Sequence, residues 1–167
     1  MTQGGIIQIF TGHSTTTDPY YTWTAGATGV LSTYAENSPI TYTAQTGKCV
    51  DIAGASSARG TAVQLYDCNG STAQKWTFQP DGTLRALGGC LDATGTGTAN
   101  GTPLQLWSCD KGVGSQVFLP RPDGSLYNPA SGRCVDLPGA TTTNGTRLQL
   151  WDCNSTAAQK WTALARS

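Results

Sequence analysis

Three aspartates of this 167-residue chain are candidates for binding a polar ligand, because each belongs to a pattern that recurs three times. In each copy a Cys-Val/Leu-Asp tripeptide is followed by Gln-Leu-aromatic-x-Cys and then by Gln-x-aromatic. The three copies occupy residues 49–51, 64–68 and 74–76, then 90–92, 105–109 and 116–118, then 134–136, 149–153 and 159–161. A carboxylate accepts hydrogen bonds, and an aromatic ring offers a rigid apolar face. The repeat therefore presents one small candidate site three times.

The cysteines follow the same repeat, with two in each copy at identical spacing. The simplest pairing that treats the copies alike predicts three disulfides within repeats: Cys49–Cys68, Cys90–Cys109 and Cys134–Cys153. Zinc is the alternative interpretation of paired cysteines, but the chain has no Cys-x-x-Cys motif and its single histidine is His13. We therefore expect no metal and no cofactor. Disulfides indicate an oxidising compartment, so we expect a secreted, extracellular protein.

Composition excludes several classes of partner. The formal net charge is zero and 12% of residues are charged, which argues against nucleic acid and anionic membranes as partners. No apolar run has the length of a membrane span, so we expect no membrane insertion. The N-terminus does not resemble a signal peptide. We expect the chain to be a segment of a longer secreted protein, and to be monomeric.

The elements that carry the pattern are predicted to be strands, because apolar and polar residues alternate and no stretch shows helical periodicity. If Val50 faces the core, Cys49 and Asp51 face away from it. Placing Cys49 opposite Cys68 on an antiparallel partner puts Asp51 opposite Tyr66. The same register pairs the other acidic and aromatic residues: Asp92 with Trp107 and Asp136 with Trp151.

This arrangement suits a sugar. A pyranose has an apolar face that stacks on a ring and hydroxyl groups that donate to a carboxylate. The alternative for each aspartate is a turn or capping role, which the threefold recurrence disfavours. Trp76, Phe118 and Trp161 are predicted to pack in the core. The glutamines two residues before them are structural hydrogen-bonding groups, ligand contacts or both: Gln74, Gln116 and Gln159.

The three tandem copies resemble a ricin B-type lectin domain, which is the family 13 carbohydrate-binding module of bacterial hydrolases. The resemblance covers about residues 41–167 and implies an all-β fold: a β-trefoil of twelve strands with pseudo-threefold symmetry. It implies up to three shallow sugar sites. The sugar-binding residues that it implies are the acidic residue, the stacking aromatic, the glutamine two residues before that aromatic, and the polar residue after the second cysteine of each repeat. These are Asp51, Tyr66, Gln64 and Asn69, then Asp92, Trp107, Gln105 and Asp110, then Asp136, Trp151, Gln149 and Asn154.

The chain departs from the family pattern in two respects. Many members have asparagine directly before Gln-x-Trp, where this chain has Ala73, Ser115 and Ala158. The second repeat departs most, because it has Phe118 in place of tryptophan and Asp110 in place of asparagine. We expect its site to be the weakest match to the family.

The predicted domains are an N-terminal extension or tail of a preceding module over 1–40 and the trefoil over 41–167, with repeats at about 41–84, 85–127 and 128–167. The extension contains a strand-like stretch at 6–10 and an aromatic cluster at 20–23, interpreted as a packed arm or a further binding surface. No catalytic arrangement is present. The sequence thus predicts a non-catalytic, multivalent carbohydrate-binding module that tethers a secreted glycoside hydrolase to galactose- or xylose-containing polysaccharide such as xylan. The alternatives are a free-standing lectin or toxin-targeting subunit that recognises galactosides, and a trefoil without working sites.

Overall fold

A computed structural model describes residues 34–110 and 113–164 of the chain. These residues form thirteen short strands and six three-residue 3-10 helices. The strands are β1 Ile40–Tyr42, β2 Lys48–Ile52, β3 Val63–Asp67, β4 Thr77–Phe78, β5 Leu84–Ala86, β6 Gly89–Ala93, β7 Leu104–Trp107, β8 Leu119–Pro120, β9 Leu126–Asn128, β10 Arg133–Asp136, β11 Thr146–Arg147, β12 Gln149–Asp152 and β13 Trp161–Ala163. The 3-10 helices span Ala53–Ala55, Thr72–Gln74, Thr94–Thr96, Gly114–Gln116, Pro138–Ala140 and Ala157–Gln159. None of the described helices is long and apolar enough to span a membrane.

Each repeat supplies four of these strands, which confirms the all-β, threefold-repeated architecture. The exception is β11, a two-residue segment that pairs with β3 of the first repeat. The three sheets have the orders β11-β3-β2-β1-β13, β4-β5-β6-β7 and β12-β10-β9-β8. The last strand of each repeat thus joins the sheet of the next one, and β13 pairs with β1 to close the cycle. The fold is a β-trefoil in which no repeat is complete without its neighbours.

The core follows the alternation that the sequence predicts. In the first repeat Val50, Ile52, Val63 and Leu65 are at most 2% exposed, and their equivalents in the other repeats are buried in the same way. Trp76 is buried with them. The aromatics of Gln-x-aromatic therefore are core residues, as predicted, since Phe118 and Trp161 are likewise buried.

The three predicted disulfides are present. They join Cys49 to Cys68, Cys90 to Cys109 and Cys134 to Cys153, each with 5.1 Å between the Cα atoms. Every bridge closes one repeat on itself and contributes about 3 kcal/mol to stability in the chain-entropy view.

The predicted strand register is wrong by two residues. Cys49 lies opposite Tyr66, and Asp51 lies opposite Gln64. Asp92 and Asp136 likewise pair with Gln105 and Gln149, not with the aromatic residues. The prediction assumed that bridged cysteines lie directly opposite each other. Here each bridge runs diagonally from a strand to a cysteine one or two residues beyond the end of its partner strand, and the 5.1 Å separation of the Cα atoms still permits it.

The indole of Trp76 provides a test of the core. Its Nε1–H donates to the carbonyl oxygen of Val50 at 3.0 Å inside the core, whereas Phe118 occupies the equivalent position of the second repeat without a donor. Trp76→Phe should lower the free energy of unfolding by about 1–3 kcal/mol, because a buried carbonyl loses its partner. Urea denaturation measures this change. An unchanged unfolding midpoint would contradict it, and the exposed Leu164→Ala serves as the control that should leave the midpoint unaltered.

Candidate functional site

Each repeat holds its aspartate by hydrogen bonds to both carboxylate oxygens. In site one, built around Asp51 and Tyr66, Gln64 Nε2 donates to Asp51 Oδ2 at 2.8 Å and Gln74 Nε2 donates to Oδ1 at 3.0 Å. Asp51 is 5% exposed. Since a carboxylate has about four acceptor positions, these two bonds orient the group and leave capacity for ligand hydroxyls.

The same arrangement recurs in site three, built around Asp136 and Trp151. Gln149 and Gln159 donate to the two carboxylate oxygens at 2.8 and 3.1 Å. Site two, built around Asp92 and Trp107, keeps the first of these bonds, from Gln105 at 2.7 Å. The second comes from Ser115 Oγ at 2.8 Å. A serine hydroxyl therefore replaces the glutamine amide in the second repeat.

The glutamines of Gln-x-aromatic are structural hydrogen-bonding groups. Gln74 closes the 3-10 helix Thr72–Gln74, and its Nε2 also donates to the carbonyl oxygen of Asp67 at 2.9 Å. Its Oε1 accepts from the Asn69 backbone N–H at 2.9 Å. Gln116 and Gln159 make the equivalent backbone contacts. These side chains tie the end of one hairpin to the next 3-10 turn, and their direct contact with a ligand stays a prediction.

The aromatic residues are the exposed members of the sites. Tyr66, Trp107 and Trp151 are 39–40% exposed, a value that is large for such side chains and nearly equal in all three repeats. Each lies two residues along its strand from the glutamine that holds the carboxylate. Side chains two apart share a face of the strand and are separated by about 6–7 Å. The structure thus brings the ring and the carboxylate to one face, although not to opposed positions.

A cavity of about 470 Å³ marks site three. Asp136 and Gln149 line it together with Trp151, and the 3-10 helix Pro138–Ala140 lines it as well. Ala140 adopts a left-handed backbone conformation with φ of 52°, and its equivalents Ala55 and Thr96 have φ of 52° and 55°. This conformation is uncommon for residues other than glycine. Its occurrence at the same position of all three repeats shows that this turn has one fixed shape in every site.

The polar residues after the second cysteines differ among the sites. Asn69 Oδ1 accepts from the backbone N–H of Ser71 at 3.0 Å, and Asn154 Oδ1 accepts from that of Thr156 at 3.1 Å. Asn154 also lines the cavity of site three. Asp110 is exposed and puts a carboxylate at the corresponding place in site two.

Sequence reasoning missed the contribution of the preceding repeat to each site. Gly60 of the first repeat donates its N–H to the carbonyl oxygen of Leu106 at 2.8 Å, next to Trp107. A Cβ atom at Gly60 would lie 3.9 Å from the Trp107 ring. Gly101 and Gly145 make the same contact with the strands that carry Trp151 and Tyr66. The recurring Gly-Thr dipeptide at 60–61, 101–102 and 145–146 was the available signal.

The acidic residue that follows Tyr66 is compensated by a cation. Asp67 accepts from Asn144 and pairs with Lys48 at 2.9 Å, and these contacts lower the pKa of the Asp67 carboxyl. Burial raises the pKa of the Tyr42 phenol, and the negative charge of Asp136 adds to this effect.

Within the described residues no three His, Cys, Asp or Glu side chains form a group that could hold a metal ion. The predicted aromatic cluster at 20–23, the strand at 6–10 and His13 lie outside the described residues.

The family model of the ricin-type β-trefoil lectin domain matches residues 38–161. The chain belongs to this family. The lectin domain is therefore a carbohydrate-binding domain, and the predicted resemblance is confirmed.

Known relatives match parts of this chain. A seed lectin of Trichosanthes anguina is 52% identical over 40 residues, and Serine protease 1 of Rarobacter faecitabidus is 45% identical over 40 residues. Each match covers 24% of this chain and 8% of the relative, so the chain spans a small fraction of these proteins. A non-toxic homologue of type II RIPs from Momordica charantia, solved with α-methyl-D-galactoside, has a TM-score of 0.67 at 29% identity. That match covers 75% of this chain and 46% of the homologue.

Proposed function

We propose that this lectin domain is a non-catalytic, multivalent sugar-binding module of a secreted protein, and that it tethers a glycoside hydrolase to galactose- or xylose-containing polysaccharide. The observation that carries the proposal is the threefold recurrence of an exposed aromatic ring beside an oriented carboxylate. The ring supplies a stacking surface, and the remaining lone pairs of the carboxylate accept hydrogen bonds from vicinal hydroxyl groups.

The sites are shallow, so each one should bind a simple sugar weakly. A Kd on the order of millimolar corresponds to about −4 kcal/mol per site. Sites that engage one polysaccharide raise each other's effective concentration, and avidity can then exceed single-site affinity by about 10². Three weak sites are therefore suited to an extended polymer with repeated sugars.

One observation bears on the location of the protein, and two bear on whether the domain is attached to an enzyme or free-standing. Disulfides within every repeat fit an extracellular location. The similarity to a stretch of Serine protease 1 supports attachment to a hydrolytic enzyme. The similarity to a seed lectin favours the alternative, a free-standing lectin that recognises galactosides.

A retention assay tests the proposal. The isolated chain should bind insoluble xylan or galactan at least about tenfold more tightly than xylose or galactose, as expected for linked sites, and should release no sugar from either polymer. Equal affinity for polymer and monosaccharide would contradict multivalent binding. Sugar release that a point substitution in the chain abolishes would contradict a non-catalytic role.

A further inference from the structure

Site two is lined by different chemistry from the other two sites. Three positions around the carboxylate are apolar in sites one and three, whereas in site two all three carry hydroxyl groups. In the order of the sites, these positions are Ala53, Ala55 and Ala73, then Thr94, Thr96 and Ser115, then Pro138, Ala140 and Ala158. One such difference would be unremarkable, but here every one of the three positions changes in the same sense.

These positions face the ligand space. Pro138, Ala140 and Ala158 all line the cavity of site three. The backbone at the turn is the same in both repeats, since φ is 61° and 52° for residues 139–140 and 63° and 55° for residues 95–96. In addition, Ser115 Oγ contacts the Asp92 carboxylate directly. The three hydroxyl groups thus take the places of apolar groups that line the cavity in site three.

The hydroxyl groups of site two present acceptors. Ser115 donates its proton to Asp92 Oδ1 at 2.8 Å, Thr94 donates to the Pro103 carbonyl oxygen at 2.8 Å, and Thr96 donates to the Gly95 carbonyl oxygen at 2.6 Å. Since each proton is used within the protein, the oxygens are left with lone pairs. Asp110 adds an exposed carboxylate where the other sites have an asparagine. Site two therefore combines hydroxyl oxygens with two carboxylates.

Among the described residues, Arg59 is a cation that hydrogen-bonds next to the Trp107 strand, and its contacts lie away from the ligand face of site two. Arg59 donates to Ser108 Oγ and to the Ser57 carbonyl oxygen. Ser108 follows Trp107, so its side chain is on the opposite face of the strand from the stacking ring. The guanidinium group of Arg59 therefore donates its hydrogen bond to Ser108 on the face of the strand opposite the Trp107 ring.

We propose that site two binds a saccharide with a free ammonium group, an amino sugar, whereas sites one and three bind neutral sugars. An ammonium group donates three hydrogen bonds and accepts none, which complements a site made of acceptors. Its bonds to carboxylates are charge-assisted and stronger than neutral ones. Sites one and three each keep one carboxylate, but their apolar walls add no further acceptors and suit a methyl or methylene group of a neutral sugar. This inference rests on the proposed function of the chain.

Two variants separate the sites. The double variant Tyr66→Ala/Trp151→Ala keeps a stacking ring only in site two. The variant Trp107→Ala keeps the rings of sites one and three only. Titration calorimetry with galactosamine, N-acetylgalactosamine and galactose should show that the site-two variant binds galactosamine about fivefold more tightly than the two neutral sugars. The Trp107→Ala variant should show no such preference. High salt should reduce the preference of site two, because exposed charge pairs are screened.

Further changes identify the groups responsible. In the variant that keeps site two alone, Asp110→Asn and Thr96→Ala should each weaken galactosamine binding more than galactose binding and so lower the preference, whereas the exposed Thr98→Ala of the same loop should leave the preference unchanged. Equal sugar preferences in the two site-restricted variants would overturn the amino-sugar inference and leave the proposed function standing. If no variant and not even the parent bound any sugar or polysaccharide, the proposed function itself would fail.

Discussion

Replacing Tyr66, Trp107 and Trp151 together with alanine should remove nearly all polysaccharide binding while the protein stays folded. These rings are 39–40% exposed and contribute little to the core. Their loss removes the stacking surface from every site at once, so retention on insoluble polysaccharide should fall by about 10² or more as avidity is lost. Affinity electrophoresis or pull-down with the insoluble polymer measures the effect.

The three single variants, in which only Tyr66, Trp107 or Trp151 is replaced with alanine, provide the control for this experiment. Each should retain binding at two sites and lose a fraction of the stoichiometry for monosaccharide. The melting temperature of the triple variant should stay within a few degrees of the parent, because surface substitutions change stability by about 0.5 kcal/mol or less. A folded triple variant that is retained like the parent would show that the trefoil sites are not the binding sites.

Removing an aspartate should have a different effect, since it should lower both binding and stability. Asp136 is 5% exposed and accepts from Gln149 and Gln159. Asp136→Ala leaves the amide of Gln159, which is 1% exposed, without its carboxylate partner. A buried polar group that loses its partner costs about 1–3 kcal/mol, so the unfolding midpoint should fall together with sugar affinity.

The comparison with Trp151→Ala makes this prediction specific. Both variants disable site three, but only Asp136→Ala should unfold at clearly lower denaturant concentration. Equal midpoints for the two variants would show that the carboxylate is not part of the structural network. From sequence alone, alanine at this position would be expected to spare the fold, because strand alternation places the aspartate on an outward face without showing that the glutamines cover it.

The repeat explains why the fold could be predicted in such detail from one sequence. Identical spacing of paired cysteines gave all three bridges, and alternation around Val50 and Leu65 gave the core face of each hairpin. The pairing of β13 with β1, which closes the cycle of repeats, has no such signal in the sequence. The residues of one strand do not identify the strand of another repeat with which it pairs. The pattern predicts three equal units, and the sheets show how they depend on each other.

The site was predicted less well, for a geometric reason. The register of two strands depends on twist and on where the bridge crosses, and both are properties of the folded hairpin. Ser115 was visible as a departure from the family pattern, but its bond to Asp92 depends on the position of the 3-10 helix Gly114–Gln116. The contribution of Gly60 was missed because this residue belongs to a different repeat from the strand to which its N–H donates.

The most direct test of sugar binding at the trefoil sites is the NMR signal of the indole N–H groups during titration with galactose or xylose. The indole rings of Trp107 and Trp151 are the exposed stacking rings of sites two and three. The indoles of Trp76 and Trp161 are buried, and they donate to the carbonyl oxygens of Val50 and Val135. The indole signals of Trp107 and Trp151 should shift on addition of sugar, and those of the two buried indoles should stay in place. If neither the Trp107 nor the Trp151 indole signal moves at saturating sugar, or if only the Trp23 signal responds, the trefoil sites are not the sugar-binding sites.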